Sequence, residues 1–283
     1  MTKLVLGALN PIALQFGPFT VHWYGVIIAS GVVLALWLSI REGARLGLNE
    51  DVFYDYLLCA LPVAIICART YYVTFEWQYY SAHPSEIIAI WDGGIAIYGA
   101  IIGGFLTMAI FCHYRHINMW TLLDVVAPTV IMAQGIGRWG NFMNQEAFGV
   151  ITTRAALVAQ HLPNWIIQQM YIGGHYRVPT FLYESLGDLV GFALLMLLRH
   201  RHRHHLFKRG EVFLAYVSWY ACVRMVVEGM RTDSLMLGGL RVSQWLSVIF
   251  LVVAVCTFIY RRRHQADLPW YTSLFVPEGS QKS

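Results

Sequence analysis

Residues 21–40 read VHWYGVIIASGVVLALWLSI, a run free of Asp, Glu, Lys and Arg, and Arg41 and Arg45 follow at once. A hydrocarbon core about 30 Å thick takes roughly 20 mostly apolar residues in helical form, so this run predicts a membrane span near 20–40. Similar runs recur near 52–75, 94–113, 121–138, 180–198, 212–230 and 241–260. Together they predict about seven transmembrane helices and an all-α integral membrane protein. Composition agrees, because 57% hydrophobic and 13% charged residues in a chain of 283 would not keep a soluble globule in solution. The five cysteines stand singly in apolar stretches and read as packing residues, with no spacing that suits a metal.

Basic residues set the expected orientation. Arg41 and Arg45 follow the first span, Arg115 the third, Arg199 to Arg209 the fifth and Arg261 to Arg263 the last. Cytoplasmic ends are enriched in Lys and Arg, so the N-terminus is expected outside and the C-terminus in the cytoplasm. The opposite side holds a stretch poor in Lys and Arg at 76–92 and a loop at about 139–179, expected to form a small extracytoplasmic cap. A polytopic membrane domain over 1–264 and a polar tail over 265–283 complete the expected organisation. The Arg/His alternation after Arg199 reads as a topology anchor against anionic lipid rather than a metal tract. Asn10, Pro11, Gln15, Gly17 and Pro18 interrupt any apolar core of a cleavable leader, so the first span is expected to act as the insertion signal. A net charge of +4 gives no reason to expect nucleic acid, and neither metal nor cofactor is expected.

Charge inside a span costs a few kcal/mol, about 2.5–3.5 on insertion scales, and marks a site when it faces protein or a polar substrate. The sixth span ends Tyr220-Ala-Cys-Val-Arg224-Met-Val-Val-Glu228-Gly-Met-Arg231. Steps of four, four and three put Tyr220, Arg224, Glu228 and Arg231 on one helical stripe. One Glu leaves an Arg charge spare, and a guanidinium in a low-dielectric place suits bidentate capture of a phosphate. The fourth span ends Gly135-Ile-Gly137-Arg138-Trp-Gly140-Asn141-Phe-Met-Asn144-Gln-Glu146-Ala-Phe-Gly149, which sets Arg138, Asn141, Asn144 and Glu146 at the same depth. In the third span Gly99 and Gly103 read as a helix-packing face, while the Tyr98 hydroxyl needs a partner. Trp23 reads as part of an interfacial aromatic belt, and Tyr24 as either that or a site residue. Arg69 and Glu76, seven apart, are expected to form a structural ion pair, and Asp124 to pack or cap.

The run Gly137-Arg138-x-Gly140-Asn141-Phe142-x-Asn144-x-Glu146-x-x-Gly149 resembles the signature of the prolipoprotein diacylglyceryl transferases at every fixed position. The likeness extends to His22-Trp23-Tyr24-Gly25, to the segment from Asp92 to Gly104, to Pro179-Thr180-x-x-Tyr183-Glu184 and to Arg224-x-x-x-Glu228-x-x-Arg231. It implies a bacterial cell-membrane enzyme with its active site toward the outer leaflet. Such an enzyme moves the diacylglyceryl group of phosphatidylglycerol onto the lipobox cysteine at the signal peptide of a prolipoprotein. A thioether forms and glycerol phosphate leaves, the first step of lipoprotein maturation. The resemblance implies that Arg138 and Arg224 are the essential arginines, with Asn141, Glu146, Gly149, Tyr24, Glu228 and Arg231 around the headgroup. Tyr220 joins this set through its place on the stripe.

Two positions depart from the family pattern. Tyr98 stands where many members carry a histidine, and Val178 stands where many read His before Pro-Thr. The histidine proposed as base is therefore missing, and Tyr98 is expected to orient the headgroup or relay the thiol proton. A thiol of pKa near 8.5 is a few per cent ionised at neutral pH, so reaching the thiolate costs about 2 kcal/mol. A donor placed where charge grows on the leaving phosphate is worth about 3–4 kcal/mol. Arginine capture should outweigh base catalysis. A small-anion membrane transporter is the alternative, and it requires a polar route through the inner halves of the spans.

Overall fold

A computed structural model describes residues 9–17, 19–200, 206–232, 236–265 and 267–275. The Arg/His run at 201–205 and the tail beyond 275 lie outside these described residues. A hairpin of β1 (Ile12–Phe16) and β2 (Phe19–His22) leads directly into α1 (Trp23–Arg45). There follow α2 (Asp51–Phe75), the short α3 (Trp77–Ala82), 3-10 turns at Pro84–Ile88 and Ile90–Asp92, α4 (Ile97–Tyr114) and α5 (Met119–Met143). Next come β3 (Ile151–Thr152), α6 (Arg154–Ala159), α7 (Asn164–Gln169), β4 (Tyr171–Ile172) and β5 (His175–Arg177). The chain continues with α8 (Thr180–Arg199), α9 (Glu211–Glu228), β6 (Met236–Leu237), β7 (Leu240–Arg241) and α10 (Val242–His264), then a 3-10 turn at Tyr271–Leu274.

Helices α1, α2, α4, α5, α8 and α10 are long and apolar enough to cross a membrane. The sixth expected span forms as α9, but its 18 residues include Glu211, Arg224 and Glu228, so by length and composition six helices among the described residues qualify and not seven. Leu58, Ile66, Ile101 and Ile102 are each more than half exposed. Rows of apolar side chains facing outward suit a lipid surround and would aggregate in water.

The chain divides into two units, one of residues up to Ser39 with Asp124–Phe275, the other of Ile40–Leu123. In the second unit α2 and α4 pack backbone to backbone. A Cβ at Gly99 would fall 2.4 Å from the Cys67 carbonyl oxygen, and one at Gly103 would fall 2.8 Å from Cys67 Cβ. The expected packing face is thus present, and Cys67 is part of it. Arg69 does not pair with Glu76. Its Nε donates to the Ile87 carbonyl at 2.8 Å, its Nη1 to Gly93 and Gly94, both at 2.8 Å, and its Nη2 to Glu86 at 2.6 Å. The turns of 84–94 have few ladder partners for their carbonyls, and a buried guanidinium with five donors satisfies several of them at once. Glu76 ends α2 exposed to solvent.

In the first unit α8 packs closely on α9: a Cβ at Gly187 would meet Val223 at 2.8 Å, and the Trp219 indole donates to the Gly187 carbonyl at 2.9 Å. Against α5, the Trp139 indole donates to Ser185 Oγ at 3.2 Å. Helix α5 runs through Met143, so Asn141 joins Arg138 in its last turns rather than standing in the loop expected from 139. Beyond it a small three-stranded antiparallel sheet, order β3-β5-β4, covers a core of Phe142, Leu157, Ile166, Ile167, Met170 and Phe181.

Asp124 acts as a cap, as expected, but for another helix. Its carboxylate accepts from the backbone N–H of Gly210 and, at 2.9 Å, of Phe213, the unpaired donors at the start of α9. Gly210 supplies the positive φ of 89° from which α9 begins. Glu211, wholly buried, accepts from two Arg262 nitrogens, Nε and Nη2, each at 2.6 Å. Packing also continues past 265: Tyr271 is fully buried and its N–H donates to Phe207 at 2.8 Å.

Gly99→Val is expected to lower the melting temperature of the detergent-solubilised protein by several degrees, since overpacking a tight contact costs about 1–3 kcal/mol. Gly104→Val, where a new Cβ meets nothing within 4 Å, serves as the control and should melt with the parent. Asp124→Ala is expected to cost about 1–2 kcal/mol through loss of the cap, read in the same melts.

Candidate active site

The site is built within the first unit. Arg138 projects from the penultimate turn of α5 and Arg224 from the last turns of α9. Both reach the same atom: Glu184 Oε1, on α8, lies 2.8 Å from Arg138 Nη2 and 3.1 Å from Arg224 Nη1. The other oxygen of Glu184 lies 3.3 Å from Arg224 Nη1. On the far side of Arg224, Nη2 forms a 2.6 Å ion pair with Glu228. The two carboxylates are 2–3% exposed, whereas the Arg138 and Arg224 side chains are 20% and 17% exposed. Negative charge is therefore inside and the guanidinium groups face the more open side.

The stripe on α9 was expected to leave an arginine charge spare. Arg224 is instead held from two sides, because Glu184 arrives from a different helix that no stripe on α9 can reveal. The guanidinium groups of Arg138 and Arg224 carry five donors each, more than these contacts use.

The ends of the two arginine-bearing helices are closed by side chains from elsewhere. Gln169, 1% exposed, donates to the carbonyls of Phe142 at 3.0 Å and Met143 at 3.3 Å, which terminate α5. Arg241 donates to the carbonyls of Glu228, the last residue of α9, and of Arg231 just after it. Neither residue was singled out from the sequence.

Asn141 lies 3.5 Å from Arg138 Nη1 through its side-chain oxygen, and its carbonyl accepts the Glu146 N–H at 2.9 Å. Asn144 donates to the exposed Glu146 carboxylate at 3.2 Å. Gly149 is a crossing point of backbones: its N–H donates to Val178 at 2.9 Å, it bridges to Arg231, and a Cβ there would lie 2.8 Å from Val178 Cβ. Its part is to let the turn after α5 lie beside the end of α9. The ring of Tyr24 packs on Gly140, where a Cβ would come within 2.9 Å. Tyr220 stacks on Tyr216 with centroids 6.3 Å apart, and the Tyr216 hydroxyl donates to Gln134 at 3.3 Å.

Tyr98 stands on α4 in the second unit, its ring 6.4 Å from Tyr71. The sequence reading named Glu184 only within the family motif and passed over Asp188, although both are carboxylates inside an apolar span and the cost of charge in lipid marks them as clearly as it marks Arg224. Asp188 is fully buried, and neither of its side-chain oxygens has a hydrogen-bond partner among the described residues.

Comparison with known proteins places this geometry in context. Residues 11–260 match the family model for prolipoprotein diacylglyceryl transferase. A phosphatidylglycerol–prolipoprotein diacylglyceryl transferase of Limosilactobacillus reuteri is 72% identical over 94% of this chain and 96% of its own length. The proteins of that name from Ligilactobacillus salivarius and Streptococcus agalactiae are 61% and 53% identical, over 94% and 91% of this chain and 98% of each relative. With most of its length matched by the family model and more than half of the aligned residues identical in each of these relatives, the chain belongs to the prolipoprotein diacylglyceryl transferase family.

Proposed function

We propose that this protein transfers the diacylglyceryl group of phosphatidylglycerol to the lipobox cysteine of prolipoproteins in the cell membrane, with its active site toward the outer leaflet. The convergence of Arg138 and Arg224 on one buried carboxylate carries the reading, because it gathers guanidinium forks from two helices where one phosphate can meet both. The names of the relatives favour a transferase over the small-anion transporter. The basic residues that follow α1, α4, α8 and α10 in the sequence support a cytoplasmic location for those helix ends.

In this mechanism Arg224, helped by Arg138, Asn141 and Arg231, holds the lipid phosphate. The cysteine thiolate attacks the glycerol carbon that bears it. A carbon–sulfur bond forms, the carbon–oxygen bond breaks, and its electron pair leaves on the phosphate oxygen as glycerol phosphate. The guanidinium groups stabilise the charge that grows on that oxygen, where a fixed donor is worth about 3–4 kcal/mol. Glu228 fixes the outer fork of Arg224, Gly149 and Glu146 shape the turn beside it, and Tyr24 and Tyr220 line the cluster. The part of Tyr98 rests on the family resemblance alone.

The direct test mixes purified protein, phosphatidylglycerol vesicles and a synthetic lipobox peptide, and looks by mass spectrometry for a diacylglyceryl adduct on the peptide cysteine. Absence of the adduct would sink the reading. Arg224→Lys keeps a charge but loses the planar fork, and transfer should slow by about a hundredfold or more. Tyr98→Phe should slow it by less than about tenfold. An inactive Tyr98→Phe beside a working Arg224→Lys would reverse the ranking of arginine capture over proton relay.

A further inference from the structure

Glu184 has no donor to offer a phosphate and is 2% exposed, yet both arginines bond to it. It is rooted on α8, which carries neither arginine. That helix is held against α9 by the Gly187 contact and the Trp219 bond, and against α5 by the bond from Trp139 to Ser185. Its carboxylate therefore sets how far apart the two guanidinium groups stand. Charge supplies a second argument. Two cations brought together away from water repel, and a carboxylate between them offsets that repulsion. Glu184 removes one unit of positive charge from the place where Arg138 and Arg224 meet, and the phosphodiester lipid held there carries a single negative charge. The leaving glycerol phosphate is a monoester and carries about −1.5 to −2 at neutral pH. Without the Glu184 charge the arginine pair would be one unit more positive, which favours the more highly charged product over the singly charged substrate.

We propose that Glu184 is a positioning residue of the phosphate site. It spaces the two arginine forks and lowers their positive charge, so that the more highly charged monoester product is released. This rests on the diacylglyceryl-transfer reading.

Glu184→Gln keeps size and an acceptor oxygen but removes the charge. With purified full-length protein, phosphatidylglycerol vesicles and lipobox peptide, kcat per folded enzyme should fall about tenfold or more while KM for the lipid does not rise. Inhibition by added glycerol phosphate should strengthen about fivefold or more. Glu184→Asp keeps the charge and shortens the reach, so it should lower kcat and leave the inhibition constant within about twofold of the parent. Partial unfolding would reduce the active fraction without moving that constant. A parent-like inhibition constant in Glu184→Gln, or equal shifts in both variants, overturns the proposal. If Glu184→Gln does not accumulate as folded protein, Glu184→Asp decides, and parent-like kcat in that variant overturns it. A parent chain that forms no adduct defeats the transfer reading and this inference with it, whereas an active parent indifferent to Glu184 defeats this inference alone.

Discussion

Two guanidinium groups from separate helices share one carboxylate oxygen, and the first unit is arranged around that contact. Two like charges brought together away from bulk water repel, and burying a carboxylate costs several kcal/mol unless cations or donors meet it. Each need answers the other when Glu184 stands between Arg138 and Arg224. The condition is geometric, because α5, α8 and α9 must approach to within side-chain reach. Gly187 meets it on the α9 side, where any larger residue would strike Val223. Glu228 then holds Arg224 from the other side, so the fork has little freedom left to lose when a ligand arrives.

Fixing the arginines also requires fixing the ends of the helices that carry them. A helix end leaves unpaired N–H or C=O groups, and in or near lipid these need partners from the protein. Asp124 closes the start of α9, Gln169 the end of α5, and Arg241 the end of α9. Each partner comes from a distant part of the chain, so the helix ends are also tertiary joints. Arg69 does the same in the second unit for the turns of 84–94. Polar residues in this chain thus divide between those that gather charge at one place and those that pay the backbone's debts elsewhere.

Much of this was legible in the residues. Apolar runs of spanning length marked the helices, since length and hydropathy alone decide whether a segment suits a bilayer. Glycines four apart marked a packing face on α4, and the cost of charge in lipid marked Arg138, Arg224 and Glu228. What escaped involved partners from other helices. Arg69 and Glu76 share a face of one helix, yet the arginine turned to backbone carbonyls whose need is set by the fold. Glu184 and Asp188 lay in plain view within α8, but sequence spacing relates them to each other and not to α5 or α9.

By itself, then, the sequence determined which segments are helices suited to lipid, which residues carry costly charge among them, and, through an extended motif, the family. Only the tertiary structure decided that Arg138 and Arg224 meet, that Glu184 is their common partner, and that Gln169 and Arg241 close the helices beneath them. Periodicity is a property of one helix, while the pairing of charges depends on the distance between several, and that distance is fixed by packing.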